Sequence, residues 1–294
     1  MKKILYSQKL APYVFVLPFV ITVALFWISP IVNGALLSFQ DVLKDEWVGF
    51  KNYERLITDK MFLKAVWNSI KYMIGTLVLL IPFPMLFASL LNSKLMKKPG
   101  FFKSIYFLPA LTSVVVAGTI FRLMFGEQST SLANQVIGAF GLAPIKWLKG
   151  EWTGYLALLI LACWRWTGVN ILYFLAGLQS IPTELYEAAS IDGATKWQQF
   201  KKISLPLVKP TTVYVLTISI YAGLSMFLES FMLWKGNNSP KNIGLTIVGY
   251  LYRQGIEKRA LGYACAVGLI LLVVVMIINL IQLKATGTFD KEER

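Results

Sequence analysis

Apolar residues in this chain are gathered into long runs with almost no charge, and most charged residues are bunched in the short segments between them. The first run, Leu10 to Gln40, corresponds to about 46 Å of helix at ~1.5 Å per residue. The hydrocarbon core of a bilayer is ~30 Å thick, so this run is long enough to cross it. Five more runs follow, at residues 72–93, 104–121, 152–183, 210–228 and 260–283, of which the run 152–183 is broken once by Arg165. The pattern predicts a polytopic all-α membrane protein with six transmembrane helices.

With allowance for helix ends, the predicted spans are residues 11–39, 68–93, 104–125, 154–180, 208–235 and 260–284. The first run is too long and contains too many prolines for a cleavable signal peptide, so we expect it to remain as a helix. No internal repeat, linker or change in composition divides the chain. We therefore predict one membrane domain over residues 1–294.

The basic residues indicate how the chain lies in the membrane. Residues 1–10 hold three lysines and residues 93–103 hold four, with no acidic residue in either segment. Segments with an excess of lysine and arginine usually stay in the cytoplasm. Because six spans return the chain to the side on which it began, both termini are predicted to be cytoplasmic, in a multi-pass protein of the cell membrane.

Composition excludes most kinds of catalytic site. The chain has no histidine and two cysteines, Cys163 and Cys265, which lie apart inside apolar runs. This argues against imidazole chemistry, histidine metal sites and disulfide frameworks. No G-x-x-x-x-G-K-[ST] phosphate loop occurs. We expect no enzymatic activity, metal or cofactor in this chain, and we attribute its net charge of +14 to cytoplasmic loops and anionic lipid rather than to nucleic acid.

The segment 181–207, between the fourth and fifth predicted spans, has the pattern of two short helices and a turn. Ser180 is a plausible N-cap for the first helix, and Asp192-Gly193 should end it, because glycine adopts the left-handed conformation readily. A second helix is predicted over 194–204. The pair carries an apolar face that it cannot bury alone. That face either packs against its own bundle or docks into a groove on a partner.

This segment also holds a motif at fixed spacing: Glu187-Ala188-Ala189, Gly193, Ile203 and Leu205-Pro206. The motif resembles the EAA loop of permease subunits of binding-protein-dependent ABC importers. Within that family the chain is most similar to the carbohydrate branch, namely the arabino-oligosaccharide and multiple-sugar permeases related to the maltose permeases. Residues 47–53, 107–110, 174–179 and 262–264 support the likeness.

The resemblance implies a heterodimer with a second permease, two copies of a cytosolic ATPase and an extracellular sugar-binding protein. ATP and Mg would then be bound by the ATPase, and residues 181–207, here called the coupling segment, would contact it. The residues implied in that contact are Glu184, Glu187, Ala188, Ala189, Asp192, Gly193, Ile203, Leu205 and Pro206.

Arg165 and Glu229 are charged residues within predicted spans, where an unpaired charge is costly and usually faces a cavity or a partner. Residue counts from the cytoplasmic ends place them ~9 Å apart in depth, so a direct ion pair requires bent helices. They either form a polar network that holds the helices together or contact a sugar, as the resemblance implies for these two spans. By their depth, five residues join them as candidate pathway residues: Trp166, Asn170, Tyr221, Ser225 and Met226.

The interpretation favoured by these observations is a permease subunit of an ATP-driven sugar or oligosaccharide importer, without catalysis of its own. The alternative is a secondary transporter driven by an ion gradient. Such transporters usually show internally repeated halves and titratable coupling residues. This chain shows no repeat and two charges near mid-membrane.

Overall fold

A computed structural model describes residues 9–93 and 96–288, which are mostly helical. The helices, in chain order, are α1 (Ala11–Leu37, with a π turn at Ala24–Ile28), α2 (Lys51–Thr58), α3 (Lys60–Leu80), α4 (Pro82–Leu91), α5 (Pro99–Leu111), α6 (Val114–Met124), α7 (Leu132–Gly138), α8 (Glu151–Gln179), α9 (Thr183–Ile191), α10 (Lys196–Leu207, with a π turn at Phe200–Ser204), α11 (Lys209–Leu224), α12 (Leu228–Leu233), α13 (Ile247–Tyr252) and α14 (Leu261–Ala285). A 3-10 turn at Pro240–Asn242, a π turn at Arg253–Glu257 and two short strands, β1 (Gln40–Asp41) and β2 (Glu46–Trp47), complete the list.

Four continuous helical stretches are long and apolar enough to cross a membrane: Ala11–Leu37, Lys60–Leu91, Glu151–Gln179 and Leu261–Ala285. Two further pairs qualify only when their members are counted together across a bend. α5 and α6 meet at 93°, and α10 and α11 meet at 65°. The all-α membrane fold is therefore confirmed, with four to six crossings, and the exact count of six stays a prediction.

The stretch expected to form the third span is broken rather than straight. Thr112 and Ser113, between α5 and α6, have extended backbones with ψ of 132° and 135°. Pro109 lies in the last turn of α5 and leaves the carbonyl of residue 105 without its regular helical donor, which weakens that turn. α5 instead packs against α8, where Gly168 lies so close to the Tyr106 carbonyl that a Cβ would not fit.

The stretch expected to form the fifth span is also interrupted. α11 ends at Leu224, Phe227 has φ of −143°, and α12 begins at Leu228. Glu229 therefore lies in the first turn of a separate short helix. A carboxylate there is favoured by the positive end of the helix dipole.

The described residues divide into two compact units, the first made of residues 9–59 and 251–272. In it, β1 and β2 form an antiparallel hairpin that pairs Gln40 with Trp47. Asn52 donates hydrogen bonds to the Ser38 and Gln40 carbonyls, at 2.8 and 3.1 Å. An aromatic cluster of Phe39, Trp47, Phe50 and Tyr53 packs beside the hairpin. The prediction of a single domain stays a prediction.

The second unit is made of residues 60–250 and 273–288, and within it α8 packs against α3, α4, α5 and α11. The first half of α8 packs into one apolar cluster, with Tyr72, Phe121 and Met226 among its members. The second half packs into another, which includes Met85 and Val208. Arg165 lies on α8 between the two clusters, so its charge sits at mid-helix with apolar packing on either side.

Candidate functional site

The charges predicted inside the membrane meet in the structure. Arg165 Nη1 on α8 donates to Glu229 Oε1 on α12 at 2.8 Å. The two side chains are 11% and 13% exposed. The interruption after Leu224 supplies the bent geometry that the depth difference demanded, because α12 no longer follows the helical path of α11. The question left open by the sequence, whether these two charges pair, is thus answered in favour of a direct ion pair.

Arg165 keeps part of its hydrogen-bonding capacity unused. Its Nε is buried and has no hydrogen-bond partner among the residues that the structure describes. Its Cζ lies 5.3 Å from the centre of the Trp166 ring, and that indole is 38% exposed. A guanidinium donor beside a flat aromatic surface is a combination suited to hydroxyl-rich ligands, which present both oxygens and apolar C–H faces.

Asn170, another candidate on α8, is buried and donates to the Leu80 carbonyl at 2.8 Å. In a regular helix this carbonyl would accept from the N–H of residue 84, which is a proline and has none. Asn170 therefore satisfies a carbonyl that Pro84 leaves free at the junction of α3 and α4. This contact gives Asn170 a structural role, and its contact with substrate stays a prediction.

The remaining pathway candidates lie in or beside the break between α11 and α12. Met226 is buried at 5% exposure and Ser225 is half-buried, whereas Tyr221, one turn earlier, is 59% exposed. Met226 also lines a small depression, together with Tyr72, Tyr155 and Lys71. The structure thus brings together Arg165, Glu229 and Trp166, and gives Met226 a place on a neighbouring concave surface.

Sequence reasoning assigned no role to several polar residues that line this depression. Asn68 donates to the Asn242 and Leu245 carbonyls, at 2.9 Å each. The Tyr155 hydroxyl donates to the Lys71 carbonyl at 2.6 Å. Lys71 sits at the edge of an apolar run, which is the signal that could have drawn attention to this region.

The coupling segment forms two helices joined by a tight turn, as its pattern predicted, with shifted ends. α9 begins at Thr183 with Pro182 at its N-cap position, while Ser180 caps the C-terminal end of α8. The proposed N-cap at Ser180 is therefore wrong, because the residue before a proline is disfavoured in helical conformation and Ile181 separates the two helices. Gly193 has φ of +76°, as its place after α9 requires.

The second helix of the coupling segment is capped by Thr195 and Gln198, whose side chains reciprocally bond each other's backbone N–H. It extends from Lys196 to Leu207 rather than over 194–204. Two hydrogen bonds between side chains link it to α9. The Gln199 amide donates to Ser190 Oγ at 2.8 Å, and the Tyr186 and Ser204 hydroxyls lie 2.9 Å apart. These bonds join the two helices into one element.

The apolar residues of this segment divide between an inward and an outward set. Tyr186, Phe200 and Ile203 pack against the apolar cluster around the end of α8. Leu185, Trp197 and Leu205 are 44%, 66% and 46% exposed, and Ile191 is 87% exposed. One set therefore holds the segment to its own bundle and the other is left uncovered, so docking of the segment into a groove on a partner stays a prediction.

The acidic residues named for the coupling contact lie on the outward side. Glu184, Glu187 and Asp192 are exposed, and so are Ala188, Gly193 and Pro206, whereas Ala189 is half-buried. Within residues 9–93 and 96–288, none of the three carboxylates lies within ion-pair distance of a basic group. They form an acidic surface that is free to meet a partner.

Metal binding finds no support in the described residues. No three side chains of His, Cys, Asp or Glu lie close enough there to hold an ion. Cys163 and Cys265 are both half-buried free thiols. The absence of a cofactor in this chain stays an expectation.

Comparison with known proteins identifies the family. The model for the binding-protein-dependent transport system inner membrane component matches residues 66–284. The chain belongs to this family. The resemblance noted in the sequence is confirmed, and the chain is a multi-pass inner-membrane permease component rather than an enzyme of known type.

Curated relatives match this permease over nearly its whole length. It is 52% identical to the arabinooligosaccharides transport system permease protein AraP of Bacillus subtilis, over 99% of this chain and 93% of AraP. It is 32% identical to the multiple sugar-binding transport system permease protein MsmF of Streptococcus mutans, over 94% of each chain. It is 29% identical to the lactose transport system permease protein LacF of Rhizobium radiobacter, over 93% of each.

Solved structures agree with these matches. The permease resembles a chain of a bacterial ABC transporter involved in import of the acidic polysaccharide alginate, with a TM-score of 0.84, 25% identity and 96% of each chain covered. A second crystal structure, of the alginate transporter in complex with an alginate pentasaccharide-bound periplasmic protein, matches with a TM-score of 0.85. The likeness extends over the first unit as well as the second.

Proposed function

We propose that this permease forms, with a second permease, the membrane pathway of an ATP-driven, binding-protein-dependent importer of arabino-oligosaccharides or closely related sugars. The observation that carries the proposal is 52% identity over 99% of the chain to an arabinooligosaccharide permease. Family membership favours this function over the ion-gradient alternative. The likeness to a permease solved with a loaded periplasmic protein supports an extracellular sugar-binding protein as the donor of substrate.

Coupling to ATP hydrolysis is assigned to the coupling segment. Its exposed acidic residues and the uncovered Ile191 offer a mixed polar and apolar surface of the kind that helices use for docking. Two copies of a cytosolic ATPase, which bind ATP and Mg, would supply the energy, with one contacting this segment. The side-chain hydrogen bonds between α9 and α10 support joint movement of the two helices, which adjoin α8 and α11 along the chain.

The sugar pathway is assigned to the region around Arg165, Trp166 and Glu229. Arg165 would offer its unused Nε to a hydroxyl once movement of the surrounding helices uncovers it, and Trp166 would cover an apolar sugar face. Glu229 would hold the guanidinium in place. Tyr221 and Ser225 shortly precede Glu229 along the chain, beside the break between α11 and α12. In this role the ion pair is both a structural link and a fixed donor.

Uptake of radiolabelled arabinotriose into proteoliposomes that contain the intact importer tests the proposal. We expect uptake only when loaded binding protein is outside and ATP is inside, and we expect it to persist when ionophores collapse ion gradients. Uptake that stops with an ionophore while ATP remains would identify an ion-driven transporter instead. Lactose serves as the competing substrate that separates an arabinose-specific importer from a general one.

Orientation is tested by labelling single cysteines in intact cells. Lys97 and Lys201, both exposed, are predicted to face the cytoplasm with both termini. Lys51 and Lys149, also exposed, are predicted to face outward. A membrane-impermeant maleimide should label cysteines at positions 51 and 149 and spare those at 97 and 201. Labelling at position 201 would contradict an ATPase contact at the coupling segment.

A further inference from the structure

α10 has a direction that the coupling role does not explain. Its axis lies at 65° to that of α11, which follows it after a single residue and forms the main part of the fifth predicted span. If α11 crosses the bilayer, α10 lies closer to the membrane plane than to its normal. With the orientation given under the proposed function, on which this inference rests, α10 runs along the cytoplasmic surface of the membrane.

The two faces of α10 differ in what they touch. One face is occupied, since Gln199 and Ser204 are buried and hydrogen-bonded to α9, and Phe200 packs into the core. The other carries Trp197, Lys201 and Leu205 at intervals of four residues, which places them on one side of a helix. Trp197 is 66% exposed and Leu205 is 46% exposed. This exposed side is named the α10 outer face.

The charges of the α10 outer face have no partner in the described part of the chain. Lys201 and Lys202 are exposed, and neither lies within ion-pair distance of a carboxylate there. Lys209, at the start of α11, is exposed as well. No acidic residue occurs between Thr195 and Lys209, whereas α9 carries acidic residues and no basic one. The two helices of the coupling segment thus present surfaces of opposite sign.

Lysines beside a tryptophan and leucines, on a helix that lies along a membrane surface, are typical of interfacial helices. Trp residues favour the headgroup level, and anionic lipids of the inner leaflet attract basic side chains close to the surface. We propose that the α10 outer face binds the headgroups of anionic phospholipids of the inner leaflet. Lys201 and Lys202 contact lipid phosphates and Trp197 lies among the headgroups. Leu205, which the resemblance implied in the ATPase contact, lies instead against the upper acyl chains.

With this proposal, the two helices of the coupling segment have different binding partners. Acidic α9 is repelled by an anionic leaflet and is free to contact the cytosolic ATPase. Basic α10 is attracted to the leaflet and holds the segment against the membrane. Lipid contact then opposes a change in the 65° bend between α10 and α11 at Val208, which is fully buried. The lipid would thereby stabilise the resting position of the coupling segment.

Lipid quenching of a local fluorophore tests the proposal. A bimane label is placed on Leu207→Cys, with Cys163 and Cys265 replaced by alanine, in the intact importer reconstituted into vesicles. The vesicles contain phosphatidylcholine with increasing fractions of either dibrominated phosphatidylglycerol or dibrominated phosphatidylcholine. We expect the quenching curve to give an apparent preference for phosphatidylglycerol of about fivefold for each contributing lysine. The preference should fall at high salt, as charge screening requires.

The variant Lys201→Gln/Lys202→Gln should lower that preference to near one. A matched pair of exposed lysines on the proposed outer side, changed as Lys51→Gln/Lys258→Gln, should leave it unchanged. Equal quenching by the two lipids with Lys201 and Lys202 present would overturn the proposal, and so would a preference that survives their replacement. A further measurement uses vesicles from which the ATPase has been stripped. If quenching by lipid is present there and disappears when purified ATPase is added back, the α10 outer face contacts the ATPase and the proposal is wrong.

The outcome is independent of the transport activity itself. Quenching needs no ATP, sugar or binding protein, so it decides lipid binding even if arabinotriose uptake fails. Conversely, uptake with the expected ATP requirement would stand even if the α10 outer face showed no preference among lipids. The failure of one proposal can thus be told from the failure of the other.

Discussion

Arg165 and Glu229 face each other at 2.8 Å between α8 and α12, whereas Glu187 on α9 and Lys201 on α10 are exposed and lie outside ion-pair distance of any opposite charge in the described residues. The first pair is almost fully desolvated. The second two charges belong to one short element whose helices are linked by neutral hydrogen bonds, between Gln199 and Ser190 and between Tyr186 and Ser204.

The difference follows from the cost of desolvating a charge. A charge buried without a partner costs several kcal/mol, so Arg165 and Glu229 must meet within the chain. A charge in contact with water can remain unpaired at little cost. Charges of the coupling segment are therefore available to other molecules, while those of the membrane site are committed to each other, except for the unused Nε of Arg165.

Breaking the ion pair should have the largest effect on stability. Arg165→Met leaves Glu229 buried without a partner, which we expect to cost roughly 3–5 kcal/mol. The yield of assembled complex and its midpoint of thermal unfolding in detergent should both fall. The double variant Arg165→Met/Glu229→Gln removes both charges and should recover most of the loss.

The double variant also separates the structural role of Arg165 from its role in the pathway. If Arg165 donates to sugar, the double variant assembles but takes up little arabinotriose. If the pair is only structural, uptake returns together with assembly. Normal assembly and normal uptake in Arg165→Met alone would contradict both roles.

A smaller loss of stability is expected at the proline junction between α3 and α4. Asn170→Leu removes the donor that reaches the Leu80 carbonyl and should cost about 1–3 kcal/mol, since the carbonyl is left buried without a bond. Adding Pro84→Ala supplies an N–H at the regular helical position and should reduce the cost. The check is the midpoint of thermal unfolding of the single and double variants.

A matched control for that experiment is Asn279→Leu. The Asn279 side-chain amide donates to the Val275 carbonyl of its own helix at 2.9 Å. In a regular helix the backbone N–H of residue 279 also donates to that carbonyl, so the carbonyl keeps a donor when the side chain is replaced. The control should therefore shift the midpoint less. Equal shifts for Asn170→Leu and Asn279→Leu, with no recovery from Pro84→Ala, would refute the role given to Asn170.

Long uncharged runs were enough to predict the helical membrane fold, because the need to satisfy backbone groups in lipid leaves few alternatives. The runs could not show that Thr112-Ser113 and Ser225–Phe227 interrupt the third and fifth stretches. Those residues are uncharged and tolerate a helix. The breaks accompany tertiary packing, such as the contact between Gly168 and the Tyr106 carbonyl, which no local pattern records.

In the candidate site, too, local features could be predicted from the sequence and tertiary contacts could not. The Asp192-Gly193 turn follows from local chemistry and lies where it was expected, with Gly193 in the left-handed region. The meeting of Arg165 with Glu229 could not be derived, because depths counted along straight helices kept them apart. The role of Asn170 required knowing that it faces the carbonyl four residues before Pro84.

Within the coupling segment, the turn should be more sensitive than its exposure suggests. Nothing lies within 4 Å of a Cβ added at Gly193, so Gly193→Val is opposed only by its φ of +76°. We expect that strain to lower the free energy of unfolding by about 1–2 kcal/mol. ATP-driven uptake should fall strongly as well, because relief of the strain would change the angle between α9 and α10. Gly138→Val, at an open helical position without positive φ, is the control and should do neither. Wild-type uptake at normal protein levels in Gly193→Val would count against a coupling role for the turn.

The smallest effect on stability is expected for Glu187→Lys. Glu187 is exposed, and its charge is unpaired in the described residues, so the midpoint of unfolding should shift by no more than the ~0.5 kcal/mol typical of surface changes. The amount of ATPase that co-purifies with the permease should nevertheless fall, because a basic group replaces an acidic one on the proposed docking surface. Glu187→Gln should give an intermediate result, and Glu54→Lys, an equal charge reversal on the proposed outer side, should leave the ATPase bound. If the Glu187→Lys variant retains the ATPase, the ATPase does not dock on α9, and α10 becomes the helix of the segment that contacts the ATPase.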